Sequence, residues 1–116
     1  MQRAIRPMDI WMVALTETIG SEEKGQRPAV IMAVHSKTNV SMVVPLTSNQ
    51  DALRFPYSYK VPCSSDNGLS TDSVALIFQM RSLTISAGRF LLRVGAIERS
   101  HFNNIKALIK DYLQIE

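Results

Sequence analysis

Pro28-Ala29-Val30-Ile31-Met32-Ala33-Val34 and Val40-Ser41-Met42-Val43-Val44-Pro45-Leu46, joined through Lys37-Thr38-Asn39, decide the fold. Both runs are short, continuously apolar and rich in β-branched residues, the pattern of buried strands rather than of an amphipathic helix. The residues between them have turn chemistry. The pair therefore reads as an antiparallel hairpin at the centre of a sheet. Pro28 is admissible at its head, because the first residue of a strand need not donate to the ladder.

Working outward, Ile10-Trp11-Met12-Val13-Ala14-Leu15 reads as a buried first strand. Thr16 to Gln26 is a polar connection containing Gly20 and Gly25, long for a hairpin loop, and long loops in small domains are often functional. After the hairpin, Thr47 to Asp51 is a polar loop, and Phe55 to Val61 alternates aromatic and polar residues like a half-exposed strand near an edge. Pro62 to Asp72 carries Asp66-Asn67-Gly68 without apolar periodicity and reads as the most flexible stretch. Ser73 to Phe78 and Phe90 to Val94 are further strands. The period then changes: Phe102, Ile105, Leu108, Ile109, Tyr112 and Leu113 recur at helical spacing, so an amphipathic helix beginning near Glu98 closes the chain. The expectation is a mainly β fold, five to seven short strands in a compact sheet or small barrel with a C-terminal α-helix.

Composition bounds the rest. A chain of 116 residues holds one domain, 1–116, and a hydrophobic share of 46% is enough for a core. No apolar run is long enough to cross a membrane as a helix. Basic residues at the N-terminus have no apolar stretch behind them, so secretion is not expected. The lone Cys63 fits a reducing cytoplasm. A net charge of +3 permits a phosphate-bearing partner without demanding one.

The common enzymatic signatures are missing. No CxxC, HExxH, P-loop or GxGxxG occurs, so nothing points to a zinc site, a nucleotide or another cofactor. His35 and His101 read as surface residues, and Cys63 as an incidental thiol. Two other features draw attention. Gly20-Ser21-Glu22-Glu23-Lys24-Gly25-Gln26-Arg27-Pro28 runs straight into a buried strand, and Val44-Pro45-Leu46-Thr47-Ser48-Asn49-Gln50 ends one in hydrogen-bonding side chains. If the two strands pair through the turn near Thr38, Arg27 and Thr47 become near neighbours at one end of the hairpin. A guanidinium pinned by Pro28 suits a phosphate and a phosphorane intermediate. A solvated turn with a strand-edge cation is the plainer reading of the same residues.

Asp9-Ile10-Trp11, Gly20-Ser21-Glu22 with Gly25 and Arg27-Pro28, Val44-Pro45-Leu46-Thr47-Ser48, Asp72-Ser73-Val74 and Gln79-Met80-Arg81 together resemble the MazF/PemK toxins, in order and spacing, from about Met8 to the terminal helix. The resemblance implies an SH3-like barrel, a homodimer, and metal-independent endoribonuclease cleavage of single-stranded mRNA at short motifs, leaving 2′,3′-cyclic phosphate and 5′-OH ends. It implies Arg27 and Thr47 as the catalytic pair and maps Glu22, Ser21, Ser48 and Gln79 onto family motif positions; Glu22 is a candidate general base or a partner of Arg27 or Lys24 that holds the loop, and Ser21, Lys24, Ser48 and Gln79 are candidate substrate-binding residues. It also implies a cognate antitoxin laid across the site and no cofactor. Two departures stand out. Pro7-Met8-Asp9 replaces the family's Arg-Gly-Asp opening, and Phe78 stands where the Kid branch has an acidic residue, with Leu76 in place of that branch's arginine. The alternatives are a non-catalytic toxin of this fold that binds a protein such as gyrase, like CcdB, or a degenerate member that binds only RNA or antitoxin.

Overall fold

The computed structural model describes residues 4–15 and 25–116. They form seven strands, β1 Asp9–Ala14, β2 Gln26–His35, β3 Val40–Thr47, β4 Ser58–Val61, β5 Ser73–Leu76, β6 Arg81–Thr84 and β7 Phe90–Ala96, followed by one helix, α1 Arg99–Tyr112. All pair antiparallel in the order β4-β5-β3-β2-β1-β7, with β6 also on β3. The fold class expected from the sequence is the one observed, with the β2–β3 hairpin at its centre.

The continuous apolar runs are explained by a sheet buried on both faces. Ile10, Val30, Val44 and Leu46 join Val61, Ile77, Ile97 and the helix residues Phe102 and Ile105 in one cluster. Their alternates Trp11, Val13, Ala29, Ile31 and Val43 join Leu83 and Phe90 in a second. Trp11 and Phe90 meet edge to face, with ring centroids 6.4 Å apart. Each fully buried Val or Ile contributes about 1.5–3 kcal/mol of hydrophobic stabilisation, so these two layers fix the register of every central strand.

That register carries one irregularity with consequences for the site. Near its tip the hairpin pairs His35 with Val40 and Ala33 with Met42, but beyond Met32 it pairs Ile31 with Val43 and Ala29 with Pro45. Met32 is thus an extra residue in β2, a β-bulge. Were Met32 paired in turn like its neighbours, Thr47 would stand against Pro28. With Met32 left out of the ladder, Thr47 comes level with Arg27.

Several boundaries differ from the sequence reading. β2 starts at Gln26, ahead of Pro28, because Gln26 and Arg27 pair with Ala14 and Val13 of β1. Gln50–Arg54 forms a 3₁₀ turn, capped by Asn49 Oδ1 accepting from Asp51 N–H at 3.0 Å. β4 begins only at Ser58, since Tyr57 is turned to a left-handed φ of 60°. β5 ends at Leu76, and Ile77–Gln79 is a 3₁₀ turn. β6 has no counterpart in the sequence reading: only Leu83 of it is buried, so it leaves no alternating pattern to read.

The helix behaves as its stripe suggests at one end only. Phe102 and Ile105 are buried, whereas Tyr112 and Leu113 are exposed. Its first turn has no side-chain cap, because the Glu98 carboxylate at the N-cap position is bonded elsewhere. Polar bonds to β4 and the residue before it hold the helix instead: Tyr59 Oη with His101 Nδ1 at 2.7 Å, Asn104 Nδ2 to Tyr59 Oη at 2.9 Å, and Tyr57 Oη to Asp111 Oδ2 at 2.7 Å. His101 is therefore a docking residue, half-buried rather than free on the surface.

Before β1, Met8 takes a left-handed φ of 78°, at a place where a glycine would be unstrained. Its backbone is held from two sides, its N–H by Ile31 O at 2.9 Å and its carbonyl by Ile97 N–H at 2.8 Å. Asp9 is buried behind it. Its carboxylate accepts from Arg6 N–H and Trp11 Nε1 at 3.1 Å each and from Arg93 Nε at 3.2 Å. The altered opening thus keeps a turn whose acid ties the first strand to the last.

Candidate active site

Two prolines shape the end of the hairpin. Leu15 N–H donates to Gly25 O at 2.7 Å, so, by the period-2 alternation of a strand, Arg27 and Ala29 direct their backbone groups to β1 and Pro28 directs its own toward β3. Pro28 has no N–H to offer there. β3 changes neighbours at the same level: Val40–Val43 pair with β6 and Leu46–Thr47 with β5, with Pro45 in the gap. The β2–β3 pairing consequently ends at Ala29 and Pro45. Beyond it the strand ends open into a cleft of about 920 Å³, lined among others by Met12, Arg27, Pro28, Thr47, Ser48 and Ser73.

Arg27 and Thr47 both line this cleft, each half-buried, at the level that the bulged register assigns them. Thr47 Oγ1 accepts from Asn49 N–H at 3.2 Å. A hydroxyl has one proton and two acceptor lone pairs, so this bond occupies an acceptor position and leaves the O–H to donate into the cleft. A guanidinium and an oriented hydroxyl on one wall are suited to the non-bridging oxygens of a phosphate.

The other expected residues divide. Ser48 is exposed and lines the cleft. Gln79 is exposed on the 3₁₀ turn after β5 and is not among the cleft residues. Ser21, Glu22 and Lys24 lie outside the described residues, as does the connection 16–24 that carries them.

A second segment lines the cleft as well. It consists of Gly68, Leu69, Ser70 and Thr71, from the stretch that reads as flexible. Asn67 at its base is completely buried, and Gly68 follows with φ 70°. Gln50 straps this wall to the loop after β3, its Nε2 donating to Asp72 O at 3.0 Å. An Asn-Gly pair amid serines gives a turn signal, but nothing in the local pattern announces burial.

Charge around the site is ordered by hydrogen bonds. Asp72 is held below the usual carboxylate range, first by the Cys63 backbone N–H at 3.0 Å and then by the Cys63 thiol and Lys60. The same contact pushes the exposed Cys63 thiol up, which disfavours the nucleophilic thiolate and agrees with reading it as incidental. For Glu98, burial alone would raise the pKa. Hydrogen bonds from Ser64, its own backbone and Asn67, with the nearby His101, outweigh that and hold it low.

Comparison with known proteins places this geometry. The family model of PemK-like, MazF-like toxins of type II toxin–antitoxin systems matches residues 6–113. The endoribonuclease MazF9 of Mycobacterium tuberculosis is 31% identical over 120 aligned positions, covering 96% of this chain and 98% of that protein. The endoribonuclease toxin MazF of Escherichia coli K12 is 32% identical over 104, covering 87% and 86%. Among solved structures, MazF from Deinococcus radiodurans superposes with a TM-score of 0.77 at 18% identity, over 98% of this chain and all of that one. A mycobacterial endoribonuclease in complex with its cognate antitoxin gives 0.71 at 15% identity, over 97% and 98%.

Proposed function

The chain belongs to the PemK-like, MazF-like toxin family, and on that premise we propose that it is an endoribonuclease that cuts single-stranded mRNA at short sequence motifs without a metal ion. The observation that carries the reading is the placement of Arg27 and Thr47 on one wall of the cleft, with the Thr47 hydroxyl oriented by Asn49 N–H.

The chemistry follows from what these groups can do. The substrate 2′-OH attacks the adjacent phosphorus, the new 2′-O–P bond forms, and the P–O5′ bond breaks. The products are a 2′,3′-cyclic phosphate and a 5′-OH. Arg27 stabilises the charge that grows on the phosphoryl oxygens, and Thr47 donates to one of them. A guanidinium has donors and no acceptor to offer, so the work of Arg27 is electrostatic. Glu22 is the proposed base that takes the 2′-OH proton, and the departing O5′ takes a proton from solvent, to which Glu22 later returns its own. Ser48, Ser21, Lys24 and Gln79 are proposed to hold flanking nucleotides.

A cognate antitoxin is the proposed protein partner, covering the cleft with an extended segment. A homodimer in the cytoplasm is the proposed working state, supported by the exposed Leu91 and Leu92 on the edge strand β7 and by Leu113 and Ile115 after the helix.

The test uses purified protein and labelled single-stranded RNA in EDTA. Cleavage with 5′-OH ends is expected, and R27A and T47A should each abolish it while leaving the fold intact. RNA that stays whole at high protein excess overturns the nuclease reading in favour of a binding toxin. Variants that cut at the wild-type rate overturn the assigned site.

A further inference from the structure

We infer that Asn67 and Glu98, which contribute nothing to the Arg27–Thr47 wall, are positioning residues for the substrate strand, setting a second wall of the cleft. The inference rests on the RNA-cleaving reading and goes beyond it by naming what aligns the RNA.

Asn67 has every polar atom of its side chain engaged. Its Oδ1 accepts from Ser64 N–H and Leu69 N–H at 3.0 Å each, and its Nδ2 donates to Pro62 O at 2.9 Å and to Glu98 Oε1 at 3.3 Å. Its own backbone N–H donates to Ser64 Oγ at 3.1 Å, and Ser64 Oγ donates in turn to the other Glu98 oxygen. A surface loop does not need a completely buried amide with a full complement of partners to make a turn. This one also docks on β7 with no room to spare: a Cβ on Gly68 would lie 2.1 Å from Val94 O, and one on Gly95 2.5 Å from Asn67 O. Ala96 N–H closes the contact on Asp66 O at 3.0 Å.

The knot therefore locks Pro62, Ser64 and Asn67 to the head of the helix, and the next residues, Gly68 to Thr71, line the same cleft as Arg27 and Thr47. Those residues bring backbone groups and two hydroxyls, of Ser70 and Thr71, to its lining. Loosening the knot leaves the reacting groups in place and lets the wall drift, which weakens alignment of the RNA rather than the chemistry.

The experiment measures KM and kcat for a single-stranded oligonucleotide carrying the wild-type cleavage site, with N67D, E98Q and N67D/E98Q. The 5′-OH ends released from total RNA are sequenced in parallel, and a 2′-deoxy, uncleavable oligonucleotide reports binding by fluorescence anisotropy. N67D sets two carboxylates face to face. The double variant swaps the two groups, so that an amide at position 98 donates to a carboxylate at position 67. Assays run well below each variant's melting temperature, and E98Q serves as the milder lesion if N67D does not fold. KM and Kd should rise about tenfold in N67D with kcat within about twofold, the cleavage motif should broaden, and the double variant should recover part of the affinity, since its carboxylate at position 67 still faces Pro62 O. Folded variants with wild-type KM, Kd and motif overturn the inference alone, as does a fall in kcat at constant KM. Wild-type protein that neither cuts nor binds RNA overturns the RNA reading, and the inference with it.

Discussion

Gly95→Ala adds one methyl group at the contact between β7 and the Asn67 loop, and its cost can be worked from the distances. The new Cβ would lie 2.5 Å from both the carbonyl carbon and oxygen of Asn67 and 2.7 Å from Asp66 O. Ordinary contact begins near 3.4 Å, so the loop backbone must retreat by about 0.9 Å, a typical overpacking displacement that costs about 1–3 kcal/mol. That retreat pulls Asp66 O from Ala96 N–H, a bond of 3.0 Å, adding about 1 kcal/mol. The sum, about 2–4 kcal/mol, is a large part of the 5–15 kcal/mol typical of a domain. It should lower the melting temperature by about 10–20 °C. Gly88→Ala is the control: its Cβ meets nothing within 4 Å, though φ is 73°, so it carries only the left-handed cost of about 1 kcal/mol. Thermal melts and urea titrations of both variants decide the matter. A Gly95→Ala protein melting within 2–3 °C of wild type (roughly 0.5 kcal/mol) would show that the loop is not seated on β7 as described.

Two further outcomes follow from hydrogen-bonded carboxylates. Asp9→Ala removes the acceptor of the Trp11 indole and of Arg6 N–H and should cost about 2–4 kcal/mol in urea unfolding, whereas Arg93→Ala leaves the buried carboxylate those two donors and should cost less, about 1–2 kcal/mol; equal losses would show that the ion pair, not the Trp11 bond, is what Asp9 supplies. Because the folded state holds Glu98 below its ordinary pKa, its stabilisation is present above the unfolded value of about 4.3 and is lost as pH falls through the folded one. The melting-temperature gap between wild type and E98Q should therefore be full at pH 7 and shrink below about pH 4.5; a gap that widens on acidification would reverse the assigned direction.

How much is legible in the sequence depends on the range of the signal. The hairpin is plain because Val30, Ile31, Val43 and Val44 are buried on alternating faces of the sheet, and burial on both faces shows as an uninterrupted apolar run. Arg27 and Thr47 come together by counting from the turn, although the reason they meet is the extra residue at Met32, which no local pattern reveals. β6 escapes because one buried leucine makes no alternation. The Asn67 wall escapes for a deeper reason: its partners, Val94 and Glu98, are distant along the chain, and a polar residue buried by long-range bonds looks in sequence like one exposed in a turn. Gln79 falls on a 3₁₀ turn because β5 stops at Leu76, where the apolar run alone reads as strand to Phe78.

The bulge at Met32 acts as a vernier, an offset of one residue between two scales that would otherwise run in step. Slipping Met32 into the ladder opposite Val43 would bring Thr47 level with Pro28 and set a hydroxyl beside a ring that offers a phosphate nothing. The core forbids that slip, since it would oppose Ile31 to Val44, and these two belong to opposite faces of the sheet. Deleting Met32 is a different event: Ala33 and Ile31 would then follow one another opposite Met42 and Val43, and Arg27 would keep its level with Thr47 while β2 lost its local kink. The offset is thus guarded by the two hydrophobic layers rather than by the methionine itself. Sequence drift at that position, or in the turn beyond it, leaves the alignment of Arg27 with Thr47 untouched.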